Sequence, residues 1–98
     1  SFTPKGQDLL DNFKAAYVRH TPDFQTKHGY AVSAPGKANL TYCTTYVAET
    51  FGCLSMTLEM PFKDNADLPD ADFGWSPDRA AKLGAAVLGP MLDILPQI

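Results

Sequence analysis

The stretch Cys53-Leu54-Ser55-Met56-Thr57-Leu58-Glu59-Met60-Pro61-Phe62 decides how the rest of the chain is read. Leu54, Met56, Leu58 and Met60 alternate with Cys53, Ser55, Thr57 and Glu59, the period-two pattern of a β-strand with two unlike faces. One face is large and apolar; the other is small and ends in a carboxylate. Pro61 has no N–H to give to a ladder and stops the strand. Glu59 is the residue in it that most needs a reason. Glutamate is almost never fully buried unless paired, and desolvation in an apolar strand would favour its protonated form and suit it to general acid–base work. In open α/β sheets ligands also bind at the carboxyl ends of strands. The competing reading is an edge strand with Glu59 in water.

Outward from this strand the chain alternates helices with short β segments. Residues 37–51 allow two readings. Thr41, Thr44, Thr45, Val47 and Thr50 are β-branched and favour a strand. Leu40, Cys43, Val47 and Phe51 instead recur at spacings of three and four, and Gly52 suits a helix C-terminus. The segment is long for a strand, so a helix is expected. Before it, Lys27-His28-Gly29-Tyr30-Ala31-Val32 reads as a short strand near 28–32 running into a Pro35-Gly36 turn. Thr3-Pro4 announces an N-terminal helix by a capping hydroxyl and a proline at the first helical position. Leu9, Leu10, Phe13, Ala16 and Tyr17 line one face of it, Arg19 and His20 close it, and Thr21-Pro22 ends it. A closing helix starts at Ser76-Pro77-Asp78, carries Leu83, Val87, Met91, Ile94 and Ile98 on its apolar side, and should kink at Gly89-Pro90. The expected fold class is α/β, about three helices packed on a short sheet of at least two strands, with residues 1–98 forming a single unit.

Composition closes several classes. Hydrophobic residues make up 45% of the 98 positions and charged residues 19%, as in packed globular chains. Eight basic against eleven acidic side chains leave a formal charge of −3, the wrong sign for nucleic acid or an anionic membrane surface. No apolar run approaches the roughly 18 residues of a membrane-spanning helix, and no signal-peptide pattern opens the sequence. Cys43 and Cys53 are too few for a disulfide scaffold and read as reduced core thiols of a cytoplasmic protein.

Other candidate sites are weaker. His20, Asp23 and His28 raise the question of a metal, but Thr21-Pro22 breaks the helix that would align the first two, and zinc needs three or four convergent ligands. Asp64, Asp67, Asp70 and Asp72 form an acidic loop that reads as solvated; a calcium loop starting at Asp70 would need its bidentate glutamate at position 81, which is alanine. Tyr30, Tyr42, Tyr46 and Trp75 read as core or rim aromatics.

The run Thr57-Leu58-Glu59-Met60-Pro61-Phe62-Lys63-Asp64 changes the weighing. It resembles the last catalytic segment of zinc metallocarboxypeptidases, especially the bacterial branch related to cytosolic carboxypeptidases, in which a strand carries Thr-x-Glu near its end. His28-Gly29-Tyr30 followed by Ala34-Pro35-Gly36 is similar to that family's substrate-closing tyrosine loop. The order of elements agrees as well: a helix precedes the glutamate strand and a long amphipathic helix closes the chain.

The resemblance implies the C-terminal part of a mixed-sheet zinc-carboxypeptidase fold. It makes Glu59 the general base and acid and Tyr30 a substrate-binding residue. Lys37, and with it Arg79, stand as basic groups that could meet an acidic substrate side chain or lie on the surface. The family's zinc ligands, a His-x-x-Glu pair and a later histidine, precede the tyrosine loop, as does its substrate-clamping arginine. Nothing of that kind precedes Tyr30 here. Zinc is therefore expected in a longer parent and no metal in this chain, which would be inactive alone. The implied substrate is a peptide or protein C-terminus; an exposed sheet edge could let the piece self-associate. Two other readings stand beside this one: an N-acyl amino acid deacylase of the aspartoacylase type, and a non-catalytic interaction domain using Glu59 to bind a partner.

Overall fold

Thr3 caps the first helix as its sequence leads one to expect. In the computed structural model, which describes residues 3–34 and 36–98, the Thr3 hydroxyl accepts from the Gly6 N–H at 3.1 Å and Pro4 opens α1 (Pro4–His20). The helix buries Leu10, Phe13, Ala16 and Tyr17, the face that the spacing marks out. α2 (Cys43–Phe51) ends in Gly52, whose φ of 62° is the left-handed conformation that glycine adopts without a Cβ penalty. α3 (Pro77–Ala85) is capped by the Ser76 hydroxyl on the Arg79 N–H at 3.2 Å. α4 (Leu88–Ile94) follows, and a 3₁₀ turn at Leu95–Gln97 completes the described elements.

The closing helix is two helices rather than one kinked helix. Pro90 cannot donate to the carbonyl of Ala86, and its ring crowds that carbonyl, so the break falls at residues 86–87, one turn before the proline. The Val87 N–H turns instead to Gly84 O at 3.2 Å. The Leu83 carbonyl, which a continuous helix would pair with Val87, accepts from the buried Tyr17 hydroxyl. A side chain of α1 thereby satisfies the polar group that the break releases.

α1, α3 and α4 meet in one core. Phe13, Tyr17, Leu83 and Ile94 are buried together, with Leu9, Phe24, Leu54, Trp75, Ala86 and Val87 packed against them. Tyr17 stacks on Phe24 with ring centroids 4.3 Å apart and meets Phe13 edge-on at 5.8 Å. Burial pushes the Tyr17 phenol above its ordinary value. At the far end of α1 the His20 ring lies over Gly89, where any Cβ would overlap it, and bonds Asp93 Oδ2 at 2.9 Å. Asp93 also lies 4.0 Å from Arg19, so the basic end of α1 is fastened to α4.

The expected sheet is not there. Among the described residues no strand forms: neither 28–32 nor 53–62 pairs with a neighbour, and the described architecture is helical. The α/β assignment with at least two strands is thus overturned. Alternation reports which way side chains lean, and a strand exists only when a second backbone takes up its N–H and C=O groups. The lean itself survives in part, since Leu54 reaches the core while Met56, Leu58 and Met60 are left between 37% and 39% exposed. Without a sheet there is no sheet edge among the described residues to drive self-association. The helix expected over 37–51 begins only at Cys43; the Asn39 side chain ties a turn ahead of it by accepting from the Thr41 N–H and hydroxyl. Both cysteines are free and exposed, not core thiols. Pro35 of the expected Pro35-Gly36 turn lies outside the described residues.

The fold leaves much apolar surface open. The described chain exposes 7227 Å², against about 5500 Å² for a compact monomer of its mass. Tyr30, Phe51, Phe62 and Phe73 all stand largely in solvent.

Candidate active site

Two of the three residues singled out for substrate chemistry come together. The Tyr30 hydroxyl lies 3.4 and 3.3 Å from the two Glu59 carboxylate oxygens, donating across a gap longer than a strong O–H···O bond. Both residues are exposed, Tyr30 to 87%. Glu59 is therefore not the desolvated strand carboxylate that its neighbours Leu58 and Met60 suggest; it faces solvent with a phenol beside it. Lys37 is exposed and its backbone N–H closes a turn onto Ala34 O at 3.0 Å. No hydrogen bond or ion pair joins its side chain to Tyr30 or Glu59.

The loop leading to Tyr30 is pinned just before it. The Gln25 side chain accepts from the His28 N–H at 2.6 Å and donates to the His28 carbonyl at 3.0 Å. Lys27 Nζ meets Asp67 Oδ1 at 3.0 Å, and His28 Nε2 lies 3.6 Å from the other Asp67 oxygen. The loop after Glu59 is equally organised. Its aspartates, expected merely to be solvated, bind backbone: Asp64 accepts from the N–H groups of Asn65 and Asp70, and Asp70 from those of Asp72 and Phe73. Those last two bonds hold the Asp70 carboxyl below its ordinary value. Gly74, at φ 59°, lets the backbone close tightly on Lys63, and the Trp75 N–H donates to Lys63 O at 2.8 Å.

Arg79 joins the two loops, a role that the sequence, which offers it as a substrate-facing or surface cation, does not show. Its guanidinium forks onto Asp23, with Nε donating at 3.1 and 3.0 Å and Nη2 at 2.6 Å. Nη1 reaches Asp64 at 3.4 Å and Nη2 the Leu68 carbonyl at 2.6 Å. The Trp75 ring lies 5.0 Å beneath. Arg79 and Asp23 keep only 14% and 12% of their side-chain surface, so Arg79 is a half-buried structural group rather than a freely exposed cation. Its hydrogen bonds hold the Asp23 carboxyl below the ordinary value, and Asp23 in turn raises the guanidinium. The one signal available was a lone arginine in the first turn of a capped helix, just after four aspartates.

His20, Asp23 and His28 go separate ways, to Asp93, Arg79 and Asp67. Among the described residues no three His, Cys, Asp or Glu side chains converge on a point where a metal could sit.

No family model matches the chain. Solved structures do. A Shewanella denitrificans chain proposed to be a carboxypeptidase A is 47% identical, with a TM-score of 0.94 over 99% of this chain and 26% of its own. A metallo-carboxypeptidase from Burkholderia cenocepacia is 45% identical, with a TM-score of 0.89 over 99% and 26%. A metallo-carboxypeptidase from Pseudomonas aeruginosa, in complex with (2-guanidinoethylmercapto)succinic acid, is 38% identical, with a TM-score of 0.92 over 98% and 25%. This chain is similar to one stretch of these metallo-carboxypeptidases. It spans about a quarter of the length of these relatives, and the same share of a curated Zymomonas mobilis protein of unassigned role to which it is 46% identical over 96 residues. Because the match runs almost end to end along this chain, its two loops and its Tyr30–Glu59 pair all lie inside the matched region.

Proposed function

We propose that the chain is the C-terminal part of a zinc-dependent carboxypeptidase that hydrolyses the last peptide bond of a peptide or protein. Glu59 is its general base and acid, Tyr30 closes on the substrate, and Lys37 is a further substrate-binding residue. The observation that carries the reading is the Tyr30–Glu59 pair, 3.3–3.4 Å apart, in a chain 38–47% identical to metallo-carboxypeptidases. The same reading puts the metal's ligands in other parts of the parent and makes the chain inactive without them; among the described residues no three side chains converge to hold a metal by themselves.

What these side chains do follows from their chemistry. A solvent-facing carboxylate can take a proton from a water molecule attacking the scissile carbonyl and hand it to the departing amine. The long Tyr30–Glu59 bond is weak, so the phenol is readily exchanged to a substrate carboxylate or to the reacting amide. That exchange leaves Glu59 unencumbered when substrate arrives. The ligand of the Pseudomonas protein carries two carboxylates and a guanidino group, the kind of acid terminus that a phenol and a lysine ammonium would recognise.

A substrate screen of the full-length parent tests this. Peptides with a free C-terminal carboxylate should be shortened by one residue, while the same peptides amidated at the C-terminus and N-acyl amino acids should not turn over. Turnover of N-acyl amino acids alone would overturn the peptidase reading.

A further inference from the structure

Tyr30 and Glu59 lie in two loops, and one half-buried side chain holds both loops. Asp23 precedes Tyr30 in the first, Asp64 follows Glu59 in the second, and the Arg79 guanidinium binds both carboxylates at 2.6 and 3.4 Å. The same group takes the Leu68 carbonyl, fixing the middle of the second loop, and rests on Trp75, which is itself bonded to Lys63. Asn65 adds a direct stitch, its Nδ2 donating to Asp23 Oδ1 at 3.3 Å. Lys27 and Asp67 add a third at the surface, where such a pair contributes little.

We propose that Arg79 is a positioning residue of the candidate active site: by holding Asp23 and Asp64 on one planar fork, it sets the separation between the Tyr30 hydroxyl and the Glu59 carboxylate. This rests on the carboxypeptidase reading of that pair. The chemistry of arginine is what the position requires. Five N–H donors in one plane can serve two carboxylates and a carbonyl at once, and the flat face stacks on an indole. A lysine ammonium is a single point and would satisfy one carboxylate at a time. None of this machinery faces the pair directly, so Arg79 acts through the backbone of its two loops and not on substrate.

The test is a mutant cycle in the full-length, metal-loaded parent, reading kcat and KM on a C-terminal peptide. Arg79→Lys should lower kcat by about 10- to 100-fold, the scale of a misplacement near 1 Å, with KM and metal content little changed. In a Tyr30→Phe background, where the hydroxyl to be placed is gone, the same substitution should cost much less. Equal losses in both backgrounds, or wild-type kcat in Arg79→Lys, overturn the positioning role. Should Arg79→Lys fail to fold, Asn65→Ala runs the same cycle with a smaller expected loss, and equal losses there overturn the role too. Glu59→Gln separates the two levels. Full activity in that variant removes the reading of the pair and the proposal with it, whereas inactive Glu59→Gln with additive Arg79→Lys and Tyr30→Phe losses removes the positioning role alone.

Discussion

Gly89→Ala should destabilise the protein although alanine is the better helix former. Gly89 occupies the first turn of α4, where replacing glycine gains about 0.5–1 kcal/mol at most. Against that, the new Cβ would press against the His20 ring, too close to Cγ, Nδ1 and Cε1 together. Forcing an extra methyl into a packed contact costs about 1–3 kcal/mol. The ring could swing outward instead, giving up its 2.9 Å contact to Asp93, which as a half-exposed pair is worth about 0.2–1 kcal/mol, along with its packing on α4. Holding the ring in place costs more than the propensity gain, the swung ring does so once its lost packing on α4 is added to the lost pair, and a net loss of up to about 2 kcal/mol is expected. The urea unfolding midpoint should fall with an unchanged m-value. The decisive comparison is the same substitution in a His20→Ala background. With the ring gone, nothing opposes the better helix former, and Gly89→Ala should become stabilising by about 0.5 kcal/mol. If Gly89→Ala stabilises the protein while His20 is present, or destabilises it equally without the ring, the account of how α1 meets α4 is wrong.

Two further outcomes follow from the core and the loops. Tyr17→Phe leaves the Leu83 carbonyl without its buried donor and should cost about 1–3 kcal/mol in urea unfolding; a loss below the error of the measurement would show that water replaces the phenol. Asp23 governs acid stability. Arg79 holds the folded carboxyl below its unfolded value, so ionised Asp23 stabilises the fold above about pH 4, and that contribution fades as pH falls through the folded value. Asp23→Asn should accordingly flatten the acid limb of the unfolding midpoint between about pH 5 and pH 2. An acid limb as steep as the wild type's would place the sensitivity in other carboxylates.

How much was legible in the sequence depended on whether the signal was local. Thr3-Pro4 and Ser76-Pro77 mark helix starts through hydroxyls that find an N–H three residues on, and Gly52 marks an end by a conformation that suits glycine. The apolar face of α1 was legible for the same reason, because one turn of helix brings Phe13 and Tyr17 to the same side. The sheet was misread because alternation from Leu54 to Met60 specifies leaning side chains and not a pairing partner. The effect of Pro90 was legible but displaced by a turn, since a proline disturbs the carbonyl four residues earlier. At the candidate site, Glu59 and Tyr30 could be named separately from their motifs, while their meeting joins segments that no periodicity links. The bridging role of Arg79 was invisible for the same reason: Asp23, Asp64 and Leu68 are scattered along the chain and only the fold gathers them.

The central claim is that the Glu59 carboxylate moves the proton in peptide hydrolysis. Glu59→Gln keeps the shape of the side chain and a partner for the Tyr30 hydroxyl while removing the basic oxygen. The most direct measurement is kcat of the metal-loaded, full-length parent carrying that substitution, alongside its dissociation constant for an uncleaved C-terminal peptide. The account predicts kcat lower by about 10²–10⁴-fold, the usual span of general acid–base catalysis, with peptide affinity retained. A kcat within a few-fold of wild type would contradict it.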